Sequence, residues 1–379
     1  MNWQVPLADL DYGEAEEQAV LNVLRRRWLT MGEVTRQFEE QFAAKTGSRY
    51  ALAVSNATVA LHLACLALGI GPGDEVIVPS LTFVATANAV LYTGAKVRFA
   101  DILCPDEPTL DPSEIDRLVT AHTKAVIVMH YGGYPCRMPE IVERAQKYNL
   151  HIIEDAAHAP GGSLNGQALG AWGDIGCFSF FSNKNLSTGE GGMLTTDDES
   201  LAQRIRMLRS HGMTSLTWDR HQGHAYSYDV VDLGYNYRID EIHSALGLVQ
   251  LEKLTRNNSL RKGISEHYRQ AFQDSNLGLP FQNWVNQAGV EPAFHIFPIL
   301  LPAKLPRKAF IDHLREQGIQ TSIHYPPIHL FQYYAKAHPS LRLPHTEAFA
   351  ASEVTLPLYP GMSTDQLSLV INAVKQCLA

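Results

Sequence analysis

What most limits the possible folds of this chain is a series of short apolar stretches: Tyr50–Val54, Glu75–Pro79, Lys96–Ala100, Ala125–Met129 and His151–Glu154. They run continuously rather than alternating apolar with polar, as a half-exposed strand would. Segments of helical character separate them, at Ser55–Leu68, Thr82–Leu91 and Met138–Tyr148. Strands apolar throughout must be covered on both faces, and intervening helices supply that cover. The chain therefore reads as α/β, a large domain with a mostly parallel sheet between helices, preceded by helices at 14–26 and 33–45.

Beyond Thr195 the pattern changes. A helix at 197–210 leads into an irregular polar and aromatic stretch, 211–236. A long helix then runs from Ile239 to about Arg256, ends in polar residues, and is followed by another at 258–273. The remainder holds few strand-like runs, notably Phe294–Leu300, among helices at 307–317, 345–353 and 364–376. These features describe a smaller α+β C-terminal domain. The expected division is 1–245 for the large domain and 246–379 for the small one, with the N-terminal segment able to pack on the latter.

Composition removes several classes of function. With 31 basic and 39 acidic residues the net charge is −8, so the chain has no generic attraction for nucleic acid or an anionic membrane. No apolar run approaches the roughly 20 residues that span a bilayer. The opening Met1-Asn-Trp-Gln-Val-Pro lacks the basic-then-apolar pattern of a signal peptide. Five scattered cysteines without a CxxC pair fit a reduced, cytoplasmic protein. There are 16 histidines, yet no HExxH and no paired-cysteine spacing, so no metal site is expected. No GxSxG occurs, which disfavours a serine hydrolase.

Chemistry concentrates in Gly176–Thr195. The apolar run Cys177–Phe181 leads to a single lysine, Lys184, then to Gly189, Gly191 and Gly192, then to Met193–Thr195 as a second strand. Lys184 would thus sit in a loop between buried strands, with glycines permitting tight turns beside it. Apolar surroundings lower a lysine pKa, the state a Schiff-base lysine needs. Taken alone, the residue reads more readily as an ordinary loop lysine.

Two further strand ends matter, because ligands of open α/β sheets bind at the carboxyl ends of strands. Ser55-Asn56-Ala57-Thr58 joins a strand to a helix N-terminus, where free N–H groups and the helix dipole favour one phosphate. The same residues could merely cap the helix. Glu154-Asp155-Ala156-Ala157-His158 places an acid at the end of a buried strand, and a protonated heterocyclic nitrogen would be a fitting partner for it. A capping aspartate and a packed histidine remain the alternative. An anion site, an acid for a pyridinium and a lysine for an aldehyde are together the three handles of pyridoxal phosphate.

These segments resemble the DegT/DnrJ/EryC1/StrS family of sugar aminotransferases, fold-type I pyridoxal phosphate enzymes related to aspartate aminotransferase. The matching motifs are Ser55–Leu63, Pro79–Thr86, Glu154–Ala159, Phe178–Lys184, Gly189–Gly192 and Leu233–Arg238, and the likeness covers nearly the whole chain. Phe181 and Ser182 stand where relatives often show His-Pro or His-Ala. Relatives with histidine at the lysine position resemble sugar dehydratases; lysine here implies transamination.

The resemblance implies roles for individual residues. Lys184 would form the Schiff base, Asp155 would pair with the pyridine nitrogen, and His158 would contact the cofactor's 3′-oxygen. Phe83 would stack on the ring. The backbone at Ala57 and Thr58 and the hydroxyl of Ser179 would hold the phosphate. Asn236 would reach the phosphate of the neighbouring subunit, implying a homodimer with shared active sites. His324–His329 resembles the segment that closes over the sugar, with His329 a substrate contact and Tyr131 and Arg238 further candidates. The implied reaction moves an amino group from an amino-acid donor, L-glutamate, to a nucleotide-linked keto-sugar. A keto-cyclitol acceptor and a non-catalytic regulatory member of the same fold are the alternatives. Specificity is expected from loops near 211–230 and 324–334.

Overall fold

A computed structural model of the chain describes residues 3–214 and 227–378. Its centre is a seven-stranded sheet of β1 (Tyr50–Val54), β2 (Glu75–Pro79), β3 (Lys96–Ala100), β4 (Thr123–Met129), β5 (His151–Asp155), β6 (Ile175–Ser179) and β7 (Gly192–Thr196). The spatial order is β1-β7-β6-β5-β4-β2-β3. Strands β6, β5, β4, β2 and β3 pair parallel, while β7 runs antiparallel to both β1 and β6.

Both faces are covered, as continuous apolar strands require. Along β1, Leu52 and Val54 enter one apolar cluster while Ala51 and Ala53 enter the other. Along β2, Val76 and Val78 join the first cluster and Ile77 the second. This is the two-residue period of a strand, with apolar side chains on both faces. The helices Ala57–Ala67 and Val84–Tyr92 cover one face, and Glu33–Thr46 and Met138–Tyr148 the other.

The C-terminal part has its own apolar cluster around the antiparallel pair Phe297–Leu300 and Glu353–Leu356. The second of these strands is not evident in the sequence, where only a helix is expected nearby. The N-terminal stretch lies against this part, with the Val5 and Gln4 amides donating to the Gly318 carbonyl at 3.1 and 2.9 Å.

One expected break does not occur. Glu241–Phe272 is a single helix of 32 residues, where the sequence suggests two helices separated near residue 257. The polar Asn257 and Asn258 read locally as a terminus. Instead Asn257 is buried, Asn258 Nδ2 donates to the Pro160 carbonyl at 2.9 Å, and its Oδ1 accepts from Asn185 at 2.8 Å. Tertiary partners thus satisfy side chains that would otherwise compete with the helix. The expected domain boundary at residue 245 falls inside this helix. Its start also caps a neighbour. The helix Glu33–Thr46 begins at Gly32, which has no capping side chain, and the buried Glu241 carboxylate accepts from the amides of Gly32, Val34 and Thr35 at 2.8–2.9 Å.

Candidate active site

Register brings the carboxyl ends of the parallel strands together, with Asp155 opposite Met129 on one side and Cys177 on the other. Neighbouring residues on a strand point to opposite faces. Glu154 turns away from the site. Its carboxylate accepts the amides of Gly170, Trp172 and Gly173 at 2.8, 2.6 and 2.8 Å and meets His130 Nε2 at 2.8 Å. Asp155 turns into a cavity of about 700 Å³. It accepts the Thr86 hydroxyl at 2.6 Å and the Ala157 amide at 3.2 Å, and Thr82 braces Thr86 at 2.8 Å.

Lys184 lines the same cavity. The loop between β6 and β7 turns tightly at Gly189, whose φ is +85°. Its shape is held by Phe180 N to Gly191 O and Thr188 N to Phe180 O, both 2.9 Å. Lys184 remains half-buried, reachable from the cavity. Burial pulls its pKa down to about 8, with the Asp155 carboxylate pulling the other way. Burial likewise raises the pKa of Asp155, opposed by Thr86, Ala157 and Lys184. Desolvation thus outweighs attraction at both groups.

The helix Ala57–Ala67 starts at the cavity wall. Asn56 Oδ1 caps it by accepting the Val59 amide at 3.0 Å. The amides of Ala57 and Thr58, in its first turn, have no acceptor within the helix. Asn56, Ala57, Thr58 and Ser179 all line the cavity. Strand β7 passes close behind this turn. A Cβ on Gly192 would fall 2.6 Å from the Asn56 carbonyl carbon, so only glycine lets the two backbones approach. Phe83 lines the cavity, is 55% exposed, and lies 6.0 Å from the ring of Tyr325 between centroids.

His158 is buried on the cavity wall, with the ring of His295 4.3 Å away and that of His324 6.4 Å away. Burial, reinforced by Lys184 and His324, drives its pKa well below the usual value. Tyr325 also lines the cavity, its hydroxyl 2.9 Å from His158 Nε2.

Eight expected cofactor contacts need placing, and seven of them line this one cavity: Ala57, Thr58, Phe83, Asp155, His158, Ser179 and Lys184. The eighth, Asn236, is exposed and does not line the cavity, and it is bridged through its backbone to Ser210. Arg238 lines a separate cavity with Arg36, Arg49, Arg206 and Arg209. His329 is buried behind the wall, Nδ1 at 2.7 Å from Ser80 Oγ and Nε2 at 3.2 Å from Glu347. Tyr131 is buried with its hydroxyl donating to the His324 carbonyl. From the segment His324–His329 it is His324 and Tyr325 that reach the cavity. The residue expected from this motif, His329, does not line the cavity. Of the loop 211–230, residues 215–226 lie outside those described.

The residues present fit pyridoxal phosphate. An anion cradle, a buried carboxylate with no ion pair among the described residues and an amine with a lowered pKa line one concave site of suitable size.

Comparison with known proteins agrees. The model of the DegT/DnrJ/EryC1/StrS aminotransferase family matches residues 11–375. The spore coat polysaccharide biosynthesis protein SpsC of Bacillus subtilis is 41% identical over 373 residues, covering 96% of this chain and 94% of its own length. The structure of Helicobacter pylori PseC, an aminotransferase involved in pseudaminic acid biosynthesis, superposes with a TM-score of 0.91 at 27% identity, covering 99% of each chain. Spr1654 of Streptococcus pneumoniae, solved in a pyridoxal phosphate form, superposes at 0.91 with 28% identity, covering 99% of this chain and all of the other. The chain belongs to the DegT/DnrJ/EryC1/StrS family and is a pyridoxal phosphate-dependent sugar aminotransferase.

Proposed function

With that membership as premise, we propose that the protein moves an amino group from L-glutamate to the ketone of a nucleotide-linked keto-deoxysugar, in the cytoplasm and as a homodimer. The observation that carries this reading is the shared cavity of Lys184, Asp155 and the helix start at Ala57. Bound there, pyridoxal phosphate supplies an aldehyde to receive the amine and an electron-withdrawing ring. The amides of Ala57 and Thr58 and the Ser179 hydroxyl would hold the phosphate. Asp155, kept in place by Thr86, would face the ring nitrogen. Lys184 Nζ, its pKa about 8, takes and returns the proton at the donor's α-carbon. Phe83 supplies an aromatic face and His158 a ring contact.

The exposed position of Asn236 supports a shared site, in which it would complete the cavity of a second copy. Nearby Leu233 is 78% exposed, and Val230 and Val231 are 57% and 56% exposed, an apolar strip suited to cover by another chain. Sedimentation of the purified protein tests the dimer. For the reaction, the holoprotein is mixed with L-glutamate and its visible absorbance band followed. Bleaching with release of 2-oxoglutarate is the expected result, and an unchanged band would count against the donor. A panel of nucleotide keto-sugars, free keto-sugars and keto-inositols then tests the acceptor. Amination of keto-inositols alone would replace the proposed substrate class.

A further inference from the structure

Tyr325 has no part in the roles above, yet it lines the site, with its hydroxyl beside His158. The direction of its hydrogen bond to His158 can be read from the other ring nitrogen. His158 Nδ1 accepts the backbone N–H of Gly132 at 3.3 Å. A neutral imidazole carries one proton, and an accepting Nδ1 leaves it on Nε2. Nε2 therefore donates to the Tyr325 oxygen at 2.9 Å. The phenol's own proton is not used in that bond. Burial pushes the Tyr325 pKa upward, so the proton is retained.

The neighbourhood holds this tyrosine from the preceding residue. The His324 amide donates to Glu353 at 2.8 Å, and its carbonyl accepts the Tyr131 hydroxyl. The Thr355 hydroxyl donates to Glu353 at 2.5 Å and so accepts from His324 Nδ1 at 2.8 Å. Both peptide groups and the ring of His324 are thus pinned to buried residues one position before Tyr325.

We propose that Tyr325 is a catalytic hydrogen-bond donor, its O–H directed at the ketone oxygen, and that Tyr131 and Glu353 are positioning residues that hold it there. The proposal rests on the aminotransferase reading of the cavity. By microscopic reversibility the same contact serves the acceptor's ketone and that of the 2-oxo acid product. A fixed donor polarises the carbonyl toward attack by nitrogen, and no transfer of the phenol proton is needed.

Nitrogen NMR of histidine-labelled, cofactor-free protein, with His158 assigned by comparison with His158→Gln, tests the geometry directly. A proton on Nε2 and none on Nδ1 is expected. A protonated Nδ1 would mean that Tyr325 donates to the ring, and would overturn the proposal. In the holoprotein, Tyr325→Phe should slow release of 2-oxoglutarate from glutamate about 10²- to 10³-fold, with the same final yield. Release at the wild-type rate would remove Tyr325 from catalysis. A wild-type protein that glutamate leaves unchanged would instead count against glutamate as the donor. Glu353→Gln and Tyr131→Phe should each slow 2-oxoglutarate release about tenfold and add little to Tyr325→Phe, as residues acting through it must. Full additivity would end their positioning role.

Discussion

Glu154 and Asp155 are adjacent on one strand and almost equally buried, at 0% and 5% exposure. Glu154 accepts three backbone amides and meets His130, so its oxygens are saturated and solvent has no approach. Asp155 has one hydroxyl and one longer amide contact, and it lines the cavity. The difference shows what separates a structural carboxylate from a chemical one. Depth is the same, and the distinction lies in whether the fold or a ligand satisfies the charge.

The comparison can be broken in several ways, the most severe being Lys184→Ala. Loss of the amine that shares Asp155's cavity should lower kcat by at least ~10⁴-fold and leave the denaturation midpoint nearly unchanged. Normal turnover by that variant would contradict the assignment. Glu154→Ala should do the opposite. It leaves His130 and three buried amides without their acceptor, and a loss of about 3–5 kcal/mol in urea unfolding is expected. Asp155→Asn should cost about 10²- to 10³-fold in kcat/KM while leaving stability level or raised, because a poorly paired buried charge disappears. Equal stability losses at 154 and 155 would erase the distinction drawn between them.

A third buried carboxylate sharpens the contrast. Among the described residues, Glu353 has only the His324 amide and the Thr355 hydroxyl as close partners, with Arg307 nearby, and burial lifts its pKa to about 8. From its usual value of 4.5 up to about 8, the folded protein holds a proton that the unfolded chain releases. Stability should therefore fall as pH rises through that window, by on the order of a few kcal/mol, and Glu353→Gln should flatten the slope. Urea titrations at several pH values measure both. The smallest effect concerns reactivity alone. With Lys184 at about 8, reductive trapping of the cofactor-free protein by pyridoxal phosphate should quicken about tenfold per pH unit below 8 and level off above it. A rate still rising at pH 10 would indicate an ordinary lysine.

Some of this was legible in the order of residues. Short-range patterns carry short-range information: a lysine between apolar runs, an acid closing a strand, and a Ser-Asn pair opening a helix each announce themselves within a few positions. Where the outcome depends on distant packing, local reading fails. Asn257 and Asn258 look like a helix end until Pro160 and Asn185 are brought alongside. Within His324–His329 both histidines and the tyrosine are chemically suitable, and only the backbone path, tied down by Tyr131 and Glu353, turns Tyr325 inward and His329 toward Ser80. Asn236 and Arg238 lie two positions apart in a recognisable motif, yet neither lines the cavity of Lys184 in this chain.

By itself the sequence determined the α/β class, the loop that carries Lys184 and the strand end that carries Asp155, because hydrophobic period and turn chemistry act over a few residues. The tertiary structure alone decided which of two adjacent carboxylates stays available, which member of the 324–329 segment enters the site, and how far the long helix runs. Those outcomes turn on hydrogen bonds between residues that lie far apart along the chain and meet only once the sheet has assembled.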